Sequence, residues 1–145
     1  MKFNVDLATL VSQIDDLSTV WQVASSADLV DTLKGVNPLT VFAPDNNAFA
    51  KVPVGTVGLM NDREKLTAVL SYHIVPGRLL AADLTKQKKW KTMQGDMLEV
   101  HEQHRVRHGI KINDAAVKEA NLECTNGVVH VIDTVLMPKT VLKPK

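Results

Sequence analysis

His101, Glu102, His104 and His108 form the densest group of potential metal ligands in the chain. A zinc site needs three or four such groups converging on one point. On a helix His101, His104 and His108 would share a face. Val100, Val106 and Ile110 instead give the stretch the grain of a β-hairpin, which splays the histidines around an exposed loop. No specific metal is expected there. Cys124 has His130 and His73 as conceivable bases, but it lies in an apolar, strand-like run. A free cysteine in that setting is usually a small buried hydrophobe. No phosphate-binding glycine loop, serine elbow or paired-carboxylate signature occurs. The chemistry-bearing residues therefore predict no catalysis.

Lys86-Gln87-Lys88-Lys89-Trp90-Lys91 is the one basic run. Lysines around an aromatic can hold nucleic acid or an acidic surface. With no second patch to support it, a solvated loop is the favoured interpretation. His73 and His130 each sit among apolar residues, where a histidine is mostly a core residue with a hydrogen-bonded neighbour.

The elements that must position these groups can be traced along the chain. The 145 residues carry a net charge of +1, 45% hydrophobic residues and one cysteine. These values suit one globular domain over residues 1–145, held by packing alone. The charge is uneven: residues 1–60 hold three basic and six acidic side chains, and residues 61–145 hold fourteen and ten. The asymmetry is mild, and with a net charge of +1 no overall field argues for nucleic acid or a membrane. No run reaches the roughly eighteen apolar residues of a membrane span. Asp6, Asp15 and Asp16 interrupt any signal-peptide core near the start. The chain is then either cytosolic or a mature region with an initiator Met added.

Asp6 is an expected N-cap for a helix carrying Leu7, Leu10, Val11 and Ile14 on one face. Leu17, Val20, Trp21 and Ala24 predict a second helix. Asp28 is expected to cap a short turn from Leu29 to Leu33, closed by Gly35. Leu39–Ala43 reads as an apolar strand stopped by Pro44. Asp45-Asn46-Asn47 then makes a tight corner into a helical turn, with side chains able to tie the loop to its neighbours. Asn61 and Glu64 form a capping box for a helix that puts Leu66, Val69, Leu70 and His73 on one face. Pro76-Gly77 fits a type II turn, and Asp83-Leu84 begins another short turn. From Thr92 the grain becomes strand, turn, strand. Asn126-Gly127 is a turn opening the β-branched run Val128–Asp133, which predicts a central strand covered on both faces.

Three stretches together resemble the fasciclin domain family. Thr40–Phe49 resembles its first signature box, and Tyr72-His73-Ile74-Val75-Pro76-Gly77 its tyrosine-histidine motif. Asn126–Asp133 with Val135–Pro138 resembles the second box. The likeness covers roughly residues 4–138. It implies an α+β wedge in which short N-terminal helices pack beside two angled β-sheets. It implies an adhesion or protein-interaction module that is secreted, periplasmic or on the cell surface, of the single-domain prokaryotic type. Catalysis and an obligatory cofactor are not implied.

The expected partner is a cell-surface or matrix protein or glycan, with no nucleic acid, no membrane insertion and a monomeric state. Small-molecule carriage of a pigment or lipid is the alternative. The resemblance places binding residues at Tyr72, His73, Ile74, Val75, Asn121 and Leu122. Asn121 and Leu122 match an Asp-Ile pair of integrin-binding animal members. Asn in place of Asp removes the carboxylate that could reach a bound cation, which argues against an animal integrin. Ile74–Val75 and Asn121–Leu122 are expected to be exposed. His73 is expected to be buried and bonded to the Asp45–Asn47 corner.

Overall fold

The computed structural model describes residues 3–26, 29–35, 38–50, 63–93, 95–103, 109–113 and 115–136. The helices are α1 (Leu7–Gln13), α2 (Ser18–Ser26), α3 (Val30–Lys34), α4 (Asn46–Ala50), α5 (Arg63–Ser71) and α6 (Ala81–Leu84). The strands are β1 (Leu39–Pro44), β2 (Ile74–Pro76), β3 (Lys89–Lys91), β4 (Met97–Gln103), β5 (Gly109–Ile112), β6 (Ala115–Cys124) and β7 (Gly127–Ile132). This is the expected α+β arrangement. A 3-10 turn, Asp15–Leu17, joins α1 to α2. Asp28, the Asn61–Glu64 capping box and Pro138 rest on residues or side chains outside those described.

Asp6 caps α1 by accepting the Thr9 amide at 2.7 Å, and that hydrogen bond holds its carboxyl below the usual carboxylate range. The apolar stripe of α1 is buried at Leu7, Ala8, Leu10 and Val11. These side chains join Val20, Ala24, Leu33, Val41, Val129 and Val131 in one core cluster. A second cluster on the far side of the sheet holds Phe42, Tyr72, Val75, Leu84, Leu98, Ile112 and Ile132.

Those two clusters explain the texture of β1 and β7. Successive side chains of a strand point to opposite faces. In β1, Val41 joins the helix-side cluster and Phe42 the opposite one; in β7, Val131 and Ile132 do the same. All six residues of each strand are buried. β7 runs parallel to β1, with Leu39 opposite Gly127, and antiparallel to β6. The last strand is therefore central.

The two angled sheets expected from the resemblance are one seven-stranded order, β2-β1-β7-β6-β5-β4-β3. Its outer strands meet: the Met93 amide donates to Ile74 O at 2.8 Å. The sheet thus curls so that its two ends approach each other.

Gly127 shows how tightly this centre is built. A Cβ at Gly127 would overlap Leu39 O and lie 2.9 Å from Leu7 Cδ1. Only glycine permits that approach of α1, β1 and β7.

Candidate functional site

The tyrosine-histidine motif is built where α5 ends and β2 begins. The His73 amide bonds Leu70 O, which turns the chain out of the helix. Its ring is buried between two partners. Leu136 N–H donates to Nε2 at 2.8 Å, and Nδ1 lies 2.7 Å from Val69 O. Because Nε2 must accept, Nδ1 carries the proton and donates to Val69. Burial lowers the His73 pKa to about 4, against a smaller opposing effect of the Val69 bond. His73 is a core residue, as expected. Its partner is a correction: it bonds Val69 and Leu136, not the Asp45–Asn47 corner. The tail after β7 folds back over the ring and supplies the donor.

Tyr72 is also internal. Its hydroxyl donates to Met97 O at 3.0 Å and accepts from Asn113 Nδ2 at 2.9 Å. Burial raises its pKa, outweighing the Asn113 hydrogen bond. Ile74 is 3% exposed and Val75 2%. The expectation that Ile74–Val75 is a presented surface is corrected: β2 lies between the two core clusters, and its two apolar side chains enter one each.

Leu122 is likewise corrected, being only 4% exposed. Its neighbour Asn121 is half-buried and sits at an irregularity in β6, where the register against β7 shifts between Glu119 and Leu122. Asn121 has φ of 63°, a conformation that asparagine tolerates better than most residues. Its Oδ1 accepts the Ala81 amide at 2.7 Å and so caps α6. The Asn121 amide donates to His130 Nδ1 at 3.1 Å. His130 therefore holds its proton on Nε2, which donates to Leu79 O at 2.8 Å. Its ring stacks on Phe42 with centroids 5.6 Å apart, and burial lowers its pKa. The residues named by the resemblance are thus brought into one frame, and Asn121 and His130 lock β6 and β7 to the segment entering α6.

The polar corner after β1 does what its residue types predict. Asp45 Oδ1 accepts the Ala48 amide at 2.8 Å, and Lys118 of β6 pairs with its other oxygen. Asn46 accepts the Thr19 amide at 2.9 Å and donates to Asp15 O and Ser18 Oγ. Asn126 does more than make a turn. It accepts the Leu7 amide at 2.8 Å and donates to Leu33 O at 2.7 Å and Gly35 O at 2.8 Å. Sequence reasoning missed this joint, and also Arg78, whose guanidinium bonds Cys124 O, Gly127 O and Glu123. An Asx-Gly pair reports a local turn, while these partners are distant in sequence.

Cys124 is buried, and burial raises its thiol pKa to about 11. It has the character of a packed hydrophobe, not of a nucleophile. β4 and β5 form the expected hairpin, with His101 opposite Lys111 and Gln103 opposite Gly109. His101 is exposed and 3.4 Å from Glu99. His104, His108 and the Glu102 side chain lie outside the described residues. Among the described residues no group of three potential ligands could hold a metal.

The basic run is only partly a loop, since Lys89–Lys91 forms β3 at the sheet edge. The Trp90 ring turns inward, its Nε1 donating to Leu84 O at 3.0 Å. An open groove of about 460 Å³ lies beside it, lined by Thr85, Gln87, Lys88, Lys89, Glu99, Val100 and His101. By contrast, the apolar cavity between the helices and β1 has a volume of about 30 Å³. Among the described residues no helix is long and apolar enough to cross a membrane.

A family model described as Fasciclin domain matches residues 15–138. The chain is 39% identical over 128 residues to Protein sll1483 of Synechocystis sp., covering 86% of this chain and 68% of that protein. It is 34% identical over 136 residues to immunogenic protein MPB70 of Mycobacterium bovis, covering 93% of this chain and 65% of that one. It is 38% identical over 114 residues to transforming growth factor-beta-induced protein ig-h3 of Sus scrofa, covering 78% of this chain and 16% of that much longer protein. The fold matches a solved FAS1 domain pair from the insect cell adhesion molecule Fasciclin I, with a TM-score of 0.74 at 18% identity. That match covers 96% of this chain and 53% of the other.

Proposed function

The chain belongs to the fasciclin domain family, and on that premise we propose that it is an extracellular or cell-surface binding module that works without catalysis. One observation carries this: the polar side chains of the tyrosine-histidine motif, His130 of the second box and Asn121 beside it are engaged in internal hydrogen bonds. Tyr72, His73, Asn121 and His130 each bond backbone of a distant segment. A general acid or base must reach a substrate proton, and these groups face inward. Their role is to hold a rigid frame that positions a surface for an adhesive or protein-interaction partner. The binding role of Tyr72–Val75 and Asn121–Leu122 is then indirect, through that frame.

The relatives support the setting. A further relative, 36% identical over 138 residues, is the cell surface glycolipoprotein MPB83 of Mycobacterium bovis, and the fold match is to a cell adhesion molecule. A secreted, periplasmic or surface location suits a module of this kind. Carriage of a pigment or lipid is the weaker reading, because the apolar cavity of about 30 Å³ has room for one or two waters.

The test is attachment of protein-coated beads to cells and to immobilised matrix, with albumin-coated beads as control. Saturable attachment above the control is expected. Attachment equal to the control across cells and matrix would overturn the proposal.

A further inference from the structure

We propose that the groove beside β3 binds an acidic polysaccharide, a linear glycan carrying carboxylate or sulfate groups. This rests on the binding-module function proposed above and names its partner class. Three features carry it.

The groove presents cations without a uniform field. Lys88 and Lys89 line it with Thr85, Gln87, Glu99 and His101. Neither lysine forms an ion pair among the described residues, whereas Lys86 is paired with Asp83 at 3.3 Å. Ammonium groups suit the anionic substituents of such a glycan. The hydroxyl, amide, carboxylate and imidazole around them suit its sugar hydroxyls, as donors and acceptors.

The surrounding sheet face extends the charge. Lys89 lies opposite Glu99, Lys91 opposite Met97, and His101 opposite Lys111. Directly opposed residues share a face. Lys89, Lys91, Glu99 and His101 are all exposed there. With Lys111 the face holds three lysines against one carboxylate, along a path across three strands. A polymer can follow such a path.

The site also lacks what other polyanions use. Binding of single-stranded nucleic acid needs aromatic faces on which bases stack, and Trp90 is turned inward with its Nε1 bonded to Leu84 O. Val100 is the one apolar residue lining the open groove of about 460 Å³, and Lys88, Lys89, Glu99 and His101 bring charged and polar ends into it, so a lipid chain would have to lie among charged groups.

The experiment is biolayer interferometry of the protein against immobilised alginate, dextran sulfate and uncharged dextran, with poly-glutamate and phosphatidylserine vesicles as further arms. Binding to alginate or dextran sulfate but not to dextran is expected, weakening as salt screens the charges. Lys89→Gln should weaken it roughly fivefold. Lys34→Gln, an equal charge change at an exposed residue of α3, should change it less than about twofold. Lys88→Gln provides a second variant should Lys89→Gln disturb β3, and circular dichroism checks each fold. The proposal is overturned by no binding to either acidic glycan, by equal losses from Lys34→Gln and the groove variants, or by tighter binding to poly-glutamate or vesicles. If beads still attach to matrix while acidic glycans do not bind, this proposal fails and the module reading stands. Failure of both removes both.

Discussion

β7 and β3 belong to the same sheet and are opposites in chemistry. β7 buries all six residues between two core clusters, whereas β3 exposes Lys89 and Lys91 and half-buries only Trp90. The first is joined to its surroundings by Gly127, His130 and the neighbouring Asn126, each fitted to a particular contact. The second meets water at a sheet edge, where lysines also discourage edge-to-edge pairing. The difference separates two demands on one fold. The signature residues hold the frame together, and the alternating outer strands are free to carry a surface. Substitutions in the two regions should therefore behave differently.

The largest effect is expected at Gly127. Gly127→Ala places a Cβ against Leu39 O, where backbone must move. A loss on the order of 3 kcal/mol or more is expected, read by urea unfolding. A midpoint unchanged from wild type would show that β1 and β7 approach less closely than described.

Next is the pair that the family resemblance marks as a binding surface. Ile74→Asp and Leu122→Asp each put a carboxylate into the helix-side core. Each should cost several kcal/mol, and the double variant should not fold, as judged by circular dichroism. A well-folded double variant would reinstate Ile74 and Leu122 as exposed residues.

His73 connects the frame to pH. Its folded pKa is depressed to about 4 from 6.5, so the folded state prefers the neutral ring. The stability this confers is fully present above pH 6.5. It is lost as pH falls from there through about 4, and the integrated change is about 3 kcal/mol. The lowered His130 pKa acts in the same direction. His73→Ala should cost about 1–3 kcal/mol at neutral pH. It should also flatten the fall in stability between pH 6.5 and 4, measured by denaturant unfolding at each pH. An unaltered slope would place the titration elsewhere.

Asn121 sharpens the comparison. Asn121→Ala removes the acceptor for the Ala81 amide and leaves a residue with Cβ at φ of 63°. A loss of about 1–2 kcal/mol is expected. Asn121→Asp keeps an acceptor and should lose less, by thermal melting. At the far end, Lys89→Gln should change stability by less than about 0.5 kcal/mol.

Much of the frame could be read from the residues. Asp6 as a cap, the stripe of Leu7, Leu10 and Val11, the continuous apolar run of β7 and the Asp45-Asn46 corner all report local rules. Burial of His73 followed from its apolar helical face. Its partner did not, because Leu136 reaches the ring from the tail after β7, 63 residues along the chain. The burial of Ile74 and Leu122 also escaped. A three-residue strand cannot show by alternation that both its faces are covered, and the irregularity at Asn121 breaks the period in β6. The groove escaped for a similar reason. Lys88 and Lys89 were visible as a run, but Glu99 and His101 meet them only through strand pairing.

The division between frame and surface is tested most directly by amide chemical shifts during titration with alginate oligosaccharide. Shifts confined to residues 85–91, 97–101 and 111, with Tyr72–Val75 and Val128–Ile132 unmoved, are the result predicted. Shifts centred on Tyr72–Val75, with the groove silent, would contradict it and return the binding site to the signature motif itself.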